Sequence, residues 1–253
     1  METVIVTGGG RGIGAAIVKR FAAMDARVYA LDLAHPELEK TDGTIVSLIV
    51  DIADPHAMDD CISSIATETG RISTLVNNAG VRVTGDVIET SVEDWDRLMS
   101  VNLRAVFLAC KYALPIMLEQ GRGAIVNIAS MAGLNPMWDR AAYCSSKAGV
   151  IGLTKQMALQ YARRGVRVNA VCPGPTLTPF MESQLAKLPN AREARTRYED
   201  SQPIGRFADP DHIAQAVIYL ASDAAEVITG TTLEVDCGTT LINGQGASGR
   251  LAS

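Results

Sequence analysis

Tyr143 and Lys147 stand four residues apart in the stretch Ala-Ala-Tyr-Cys-Ser-Ser-Lys-Ala-Gly, residues 141–149. On a helix that spacing puts both side chains on one face, one turn apart. A phenol beside an ammonium is a proton-handling pair. Tyrosine alone is a poor acid near neutrality, with a pKa of ~10, and lowering it by ~3 units takes roughly 4 kcal/mol of preferential stabilisation of the phenolate. One ammonium at ~4 Å supplies about that much at an effective dielectric of ~20. The pair could therefore run acid–base chemistry near neutral pH without a histidine or a metal. A Tyr-x-x-x-Lys spacing also occurs in ordinary surface helices, so the pair gains meaning only if other elements build a site around it. The three histidines, His35, His56 and His212, form no ligand-like cluster, which gives a metal-based mechanism little support.

Length and composition bound what those elements can be. The chain has 253 residues, 47% hydrophobic and 20% charged, which suits one α/β domain spanning 1–253 with a sizeable core. A net charge of −5 without a basic run disfavours nucleic acid and anionic membrane surfaces as partners. No apolar stretch reads as long and uninterrupted enough to span a bilayer, and the N-terminus enters a strand directly rather than a signal pattern; a cytoplasmic location is expected. The five cysteines (Cys61, Cys110, Cys144, Cys172, Cys237) are scattered and form no C-x-x-C pair. They read as reduced thiols, mostly packing residues.

The N-terminus carries the second chemical signal. Thr3–Thr7 is a β-branched run, followed by Gly8-Gly9-Gly10-Arg11-Gly12-Ile13-Gly14 and then an apolar-periodic helix from Ala15 to about Met24. Strand, glycine turn and helix in that order let backbone N–H groups approach a phosphate at the positive end of the helix. The spacing Thr7-Gly8-x-x-x-Gly12-x-Gly14 describes it better than the general dinucleotide pattern, which fits only through Gly10, Gly12 and Ala15. A strand at 27–31 ends at Asp32, eighteen residues after Gly14, where a carboxylate can accept bonds from an adenosine ribose. Asp32 would repel a 2′-phosphate and so favours NAD over NADP. Arg11 argues weakly for NADP, which remains the alternative.

Further strands are expected at 44–50, 73–76, 124–129, 166–171 and 231–235, each followed by small polar residues. These are Asp51-Ile52, Asn77-Asn78-Ala79-Gly80, Ser130, Pro173-Gly174-Pro175-Thr176-Leu177-Thr178 and Asp236-Cys237-Gly238. A helix from Pro55 to Thr69 has Asp54 as its N-cap. A long helix over 92–119 contains Asn102, an uncommon choice for a helix interior, and Pro115, which would kink it. The helix bearing Tyr143 and Lys147 runs to about Arg164, and another covers 211–221. Residues 179–203 are polar and less regular, a flap with helical pieces. The Gly/Ser-rich tail at 243–253 is expected to be only loosely ordered. Seven strands alternating with helices give a single doubly wound, seven-stranded parallel sheet of the Rossmann type, with helices on both faces.

Taken together, Thr7-Gly8-x-x-x-Gly12-x-Gly14, Asp51-Ile52, Asn77-Asn78-Ala79-Gly80, Asn102, Ser130, Tyr143-x-x-x-Lys147 and Pro173-Gly174 resemble the classical short-chain dehydrogenase/reductase family, in family order over nearly the whole chain. The extended branch of that family fits poorly. The resemblance implies a catalytic set of Asn102, Ser130, Tyr143 and Lys147. Tyr143 would be the acid in carbonyl reduction and the base in alcohol oxidation. Lys147 would lower its pKa and hold the nicotinamide ribose, Ser130 would bond the substrate oxygen, and Asn102 would hold a water linking Lys147 to solvent. It also implies that Gly8, Gly12, Ile13 and Gly14 line the pyrophosphate, with Arg11 in the same turn. Asp32 and Leu33 would meet the adenosine ribose, Asp51 and Ile52 the adenine. Asn78, Ala79 and Gly80 would lie along the cofactor, and Pro173, Gly174, Thr176 and Thr178 at its nicotinamide end. Family members assemble as tetramers or dimers through two long helices, here about 92–119 and 140–164, so a homotetramer or homodimer is expected.

The leading reading is an oxidoreductase moving a hydride between NAD and a small alcohol or carbonyl compound. An NADP-dependent reductase of 3-oxoacyl thioesters is the alternative among enzymes. A catalytically silent cofactor-binding sensor is the alternative of another class, although such relatives usually lose the tyrosine, lysine or serine. The substrate pocket would be built from 81–86, 131–140 and the flap. Met131, Leu134, Met137 and Trp138 offer apolar walls, and Arg82, Asn135, Asp139 and Arg140 polar handles. That mixture suits a sugar, polyol, hydroxy acid, cyclic diol or keto ester, and each residue could equally be loop packing.

Overall fold

The computed structural model describes residues 1–34 and 44–242. His35 and the tail at 243–253 lie outside the described residues. Seven strands form one parallel sheet: β1 (Thr3–Thr7), β2 (Arg27–Asp32), β3 (Ile45–Ile49), β4 (Thr74–Asn77), β5 (Gly123–Ile128), β6 (Val166–Pro173) and β7 (Thr232–Val235). Their order is β3-β2-β1-β4-β5-β6-β7. The chain leaves β1 toward one edge and returns at β4 toward the other, which opens a crevice at the C-terminal ends of β1 and β4. Two strand ends differ usefully from expectation. Asp32 is the last residue of β2, paired with Ile49, and β6 runs on to Pro173, paired with Val235.

Alternation along the strands sorts the core into two layers, as a period of two requires. Ile5, Tyr29, Leu31, Leu75, Ile125 and Val168 face one side, under α2 (Pro55–Thr69), α4 (Ala105–Gln120) and α5 (Ala141–Tyr161). Val4, Val6, Val28, Ala30, Val76 and Val126 face the other, under α1 (Gly12–Ala22) and α8 (Pro210–Ala221). Helices thus cover both faces of a Rossmann-type sheet. Asp54 caps α2 by accepting from the N–H groups of His56 and Ala57, as its place before Pro55 implies.

The helix expected over 92–119 is three segments: α3 (Val92–Met99), a π-helical turn at Ser100–Arg104, and α4. One extra residue in the turn widens the helix, and Asn102 sits there with its side chain fully buried. Asparagine is uncommon in a helix interior because its amide competes with the backbone, and here that amide is used by a neighbouring loop. α4 continues through Pro115 on its exposed face, one turn after the equally exposed Lys111, whose carbonyl proline cannot serve. Contrary to the sequence expectation, Val92–Gln120 is long and apolar enough to cross a membrane by length and composition. Half of its most apolar window is buried inside the fold, which is the signature of a core helix. Residues 179–203 hold two helices, α6 (Pro179–Ala186) and α7 (Ala191–Asp200). Thr178 caps α6 through the Met181 N–H, and α7 buries no residue.

Candidate active site

The glycine turn lies directly on the neighbouring loop. A Cβ on Gly14 would fall 1.9 Å from the Gly8 carbonyl oxygen, and one on Gly8 would fall 2.8 Å from the Cα of Ala79. Gly12 has φ of 54°, a left-handed conformation that any side chain would strain. Thr7 and Asn78 tie this region together. The Thr7 hydroxyl accepts from the N–H groups of Asn78 (3.0 Å) and Ala79 (3.2 Å). The Asn78 amide donates to the carbonyls of Thr7 (3.0 Å) and Gly8 (2.9 Å). Helix α1 starts here with Arg11 as an N-cap that makes no side-chain bond, so no side chain competes for its first N–H groups. Asp32 closes the end of the turn. Its Oδ2 accepts from the Gly10 N–H at 3.0 Å and its Oδ1 from the Leu33 N–H at 2.8 Å, which fixes the carboxylate at the end of β2.

This cleft has the chemistry a dinucleotide needs. It offers a bare backbone cradle at a helix N-terminus for a diphosphate and a fixed carboxylate acceptor for a ribose. Along its rim Leu33 is largely exposed, Asp51 is exposed with its side chain holding the Ala53 N–H, and Ile52 is buried. Pro173 and Thr176 are buried at the far end of the cleft. Gly174 lies so close to Asp236 that a Cβ would fall 2.6 Å from the aspartate's Cα. Thr178 reaches back toward Gly12, where an added Cβ would meet its methyl at 3.4 Å. The cofactor-binding residues read from the sequence thus line one continuous edge of the sheet.

The four residues with catalytic chemistry converge beside that edge. Ser130 follows β5 in extended backbone, and its hydroxyl accepts from the Ala132 N–H, capping a short 3₁₀ turn at Met131–Gly133. Gly133 lets that turn touch α5, since a Cβ there would fall 2.7 Å from the Lys147 carbonyl carbon. Lys147 is buried and its Nζ donates to the Ile128 carbonyl at 2.8 Å. Its Nζ lies 6.0 Å from the centroid of the Tyr143 ring, which is also buried. Asn102 pins the loop after β4. Its Oδ1 accepts from the Val81 N–H at 2.8 Å, and its Nδ2 donates to the Val81 carbonyl (2.9 Å) and to the Ser146 hydroxyl (3.2 Å). Ser146 in turn donates to the Tyr143 carbonyl, so Asn102 links the loop at residue 81 to the turn of α5 that carries the tyrosine.

The electrostatics follow from this packing. Burial alone would push the Tyr143 phenol up. The Lys147 ammonium, the Arg82 guanidinium and hydrogen bonding from Ser130 outweigh it, and the phenol lies below its ordinary value. Lys147 is also lowered, first by burial and also by the charge of Arg82, against the opposing pull of Tyr143. Both shifts bring the pair's proton transfers closer to neutrality. Cys144, beside Tyr143 in sequence, is a partly buried packing residue whose Sγ accepts from the Met137 N–H. All five cysteines are free thiols; burial pushes Cys110 up to about 12 and Cys61 and Cys172 to about 11, which keeps them unreactive. Among the described residues no group of three His, Cys, Asp or Glu side chains could hold a metal ion.

Known proteins with this arrangement are numerous. The family model described as enoyl-(acyl carrier protein) reductase matches residues 8–240. The meso-2,3-butanediol dehydrogenase of Serratia marcescens is 37% identical over 249 residues, covering 96% of each chain. The 2-(S)-hydroxypropyl-CoM dehydrogenase 3 of Xanthobacter autotrophicus is 41% identical over 248 residues, 95% of this chain and 97% of that protein. The solved structure of the aldohexose dehydrogenase of Thermoplasma acidophilum superposes with a TM-score of 0.88 at 36% identity, over 95% of this chain and 94% of that one. The chain belongs to the classical short-chain dehydrogenase/reductase family. It is an oxidoreductase of the alcohol–carbonyl type that works with a nicotinamide cofactor.

Two features of this dehydrogenase fold escape sequence reading. A buried polar relay runs from Asn77 to Asn127 (2.8 Å), from Asn127 to Thr154 (2.8 Å) and from Thr154 to the Val150 carbonyl (2.8 Å), tying β4 and β5 to α5. The registered pair Asn77–Asn127 at adjacent strand ends is its only sequence trace, visible once the strands are aligned. The other is Arg82, which reads from sequence as a pocket handle and in the fold lies over the Tyr143 ring at 5.6 Å.

Proposed function

We propose that residues 1–253 act as one unit that transfers a hydride between NAD and a small polar alcohol or its carbonyl partner. The observation that carries this reading is the Tyr143 phenol held below its ordinary value by Lys147, Arg82 and Ser130 at the open end of a dinucleotide cleft. When bound, the nicotinamide supplies the hydride acceptor or donor. Every other step belongs to the protein. Tyr143 takes the hydroxyl proton in oxidation and returns it in reduction. Ser130 donates to the substrate oxygen as charge develops there. Lys147 keeps the phenol acidic and holds the nicotinamide ribose. Asn102, with one Oδ1 lone pair to spare, holds a water through which Lys147 exchanges its proton with solvent.

NAD is favoured because the Asp32 carboxylate is fixed by two backbone donors, where it can accept from both ribose hydroxyls and would repel a 2′-phosphate. An NADP-dependent thioester reductase would need that charge removed or masked. The names of the relatives, which include a diol and an aldohexose dehydrogenase, support a small polyhydroxy or hydroxycarbonyl substrate. A homotetramer or homodimer is the proposed assembly, and the cleft between α3–α4 and α5, lined by apolar Met99, Leu103, Phe107 and Leu153 with polar Arg104 and Gln156, supports it as a surface that a second copy would cover. The cytoplasm is the proposed location.

The test is turnover followed by reduced-nicotinamide absorbance, using a panel of diols, sugars and hydroxy acids with either cofactor. Tyr143→Phe is expected to abolish turnover while leaving NAD binding nearly intact. Full activity in that variant would overturn the mechanism.

A further inference from the structure

Arg82 carries a charge that the mechanism above uses only as a neighbour. Its guanidinium carbon lies 5.6 Å from the centroid of the Tyr143 ring and 5.6 Å from that of Phe180, which projects from α6. The side chain therefore stands at the mouth of the site, between the reacting phenol and the helix after Thr178. Its backbone is anchored, because the preceding residue, Val81, exchanges two hydrogen bonds with Asn102. On the far side of the same loop, Gly85 bridges Arg140.

Among the described residues Arg82 is one of several arginines without a carboxylate partner, Arg11, Arg104 and Arg140 among them, and it is the one that lies over the Tyr143 ring. Arg20, Arg27, Arg71, Arg97, Arg122, Arg195 and Arg197 each pair with an Asp or Glu carboxylate. Among the described residues no carboxylate pairs with Arg82 by ion pair or hydrogen bond. The charges that act on the Tyr143 phenol are the cations Lys147 and Arg82. A chain of net charge −5 thus places two cations beside its phenol. A planar guanidinium carries five N–H donors, two of which match a carboxylate in a two-bonded fork.

We propose that Arg82 is the substrate's anion receptor, and that the favoured substrates are short α- or β-hydroxy acids and their oxo counterparts. This rests on the oxidoreductase reading and deepens it. Arg82 and the Tyr143 phenol are direct neighbours, so a molecule that puts a carboxylate at the guanidinium edge and a carbinol oxygen at Tyr143 and Ser130 must be short. In oxidation the carbinol carbon gives its hydride to the nicotinamide, its hydroxyl proton goes to the Tyr143 phenolate, and the oxo acid leaves with its carboxylate unchanged.

The experiment compares acids with their uncharged amides, lactate with lactamide and β-hydroxybutyrate with β-hydroxybutyramide, alongside a neutral vicinal diol. The unmodified protein is expected to show kcat/KM roughly tenfold to a hundredfold higher for the better acid than for its amide, the range of one charge-assisted contact. Arg82→Gln should bring the acid-to-amide ratio of kcat/KM close to one, the acid losing through KM on top of the smaller loss of phenol acidity that both substrates share, while Arg82→Lys retains part of the preference. Malonate should inhibit diol oxidation by the unmodified protein competitively, a readout that needs no variant. Equal or better turnover of the amides, or an equal loss for acid and amide in a folded Arg82→Gln, overturns the anion receptor while the oxidoreductase reading stands on diol turnover. No turnover of any alcohol or acid with either cofactor overturns both.

Discussion

Replacing Lys147 by methionine tests the proton chemistry most directly, because the structure sets the size of the effect. The Lys147 ammonium lies 6.0 Å from the Tyr143 ring centroid and is immobilised by its bond to the Ile128 carbonyl. At an effective dielectric of ~20 that separation is worth about 3 kcal/mol of phenolate stabilisation. Arg82 lies at a similar distance, 5.6 Å, but is solvent-exposed. At the dielectric of water its share is about 0.7 kcal/mol. Lysine is therefore the dominant cation even though arginine is no farther away. The sign follows from which form reacts. Alcohol oxidation needs the phenolate, a lowered phenol pKa extends activity to lower pH, and activity falls as pH drops through that pKa. Lys147→Met should move the acid limb of kcat/KM for alcohol oxidation to higher pH, because the cation that lowers the phenol is gone. At neutral pH it should cost about a hundredfold, most of it recovered as pH rises. Lys147→Arg keeps the charge and should shift the limb by much less. The assay is a pH series at saturating NAD, since lysine is also proposed to hold the ribose. A limb within about half a unit of the unmodified protein's, or a uniform loss at every pH, would refute the electrostatic argument.

Two further outcomes follow from the geometry. Asp32→Ala removes a fixed carboxylate from the end of β2, and should raise NADP affinity relative to NAD by roughly tenfold to a hundredfold in a fluorescence titration; tighter NADP binding by the unmodified protein would reverse the cofactor assignment. Asn127→Ala breaks the fully buried relay at its centre and should cost about 2–4 kcal/mol. Measured by calorimetry, that is a fall in Tm of roughly 5–15 °C for a domain of this size, and a fall under about 2 °C would show the relay is replaceable by water.

Much of the fold was legible because it is written in local patterns. The β-branched run Thr3–Thr7, the glycines after it and the apolar helix beyond are each set by nearest-neighbour chemistry, and the structure has them where the pattern puts them. Strand ends were less legible. Asp32 belongs to β2 and Pro173 to β6 because their partners Ile49 and Val235 lie on other strands, a register that no local window contains. The apolar run at Val92–Gln120 failed as a membrane test for the same reason. Composition cannot tell a helix that buries one face against α2 and the sheet from one that buries every face in lipid. Asn102 was legible as an oddity but not as a π turn, since the widened turn is stabilised by Val81 and Ser146, 21 and 44 residues away.

The same distance argument explains why a complete catalytic set does not by itself fix a substrate. Ser130, Tyr143 and Lys147 lie within eighteen residues of sequence, on one turn and one helix, and they recur wherever this chemistry recurs. What distinguishes one site from another is what the fold lowers onto them from elsewhere. Here it brings Arg82 from the loop after β4 and Phe180 from α6, and Asn102 couples the first of these to the helix of the tyrosine through Val81 and Ser146. Asn102 therefore serves two ends of the site at once. It holds the backbone that sets the guanidinium and the turn of α5 that sets the phenol. A change at position 102 would disturb acid recognition and proton transfer together, whereas a change at Arg82 would disturb mainly the first. Recognition and chemistry are separable at the arginine and inseparable at the asparagine.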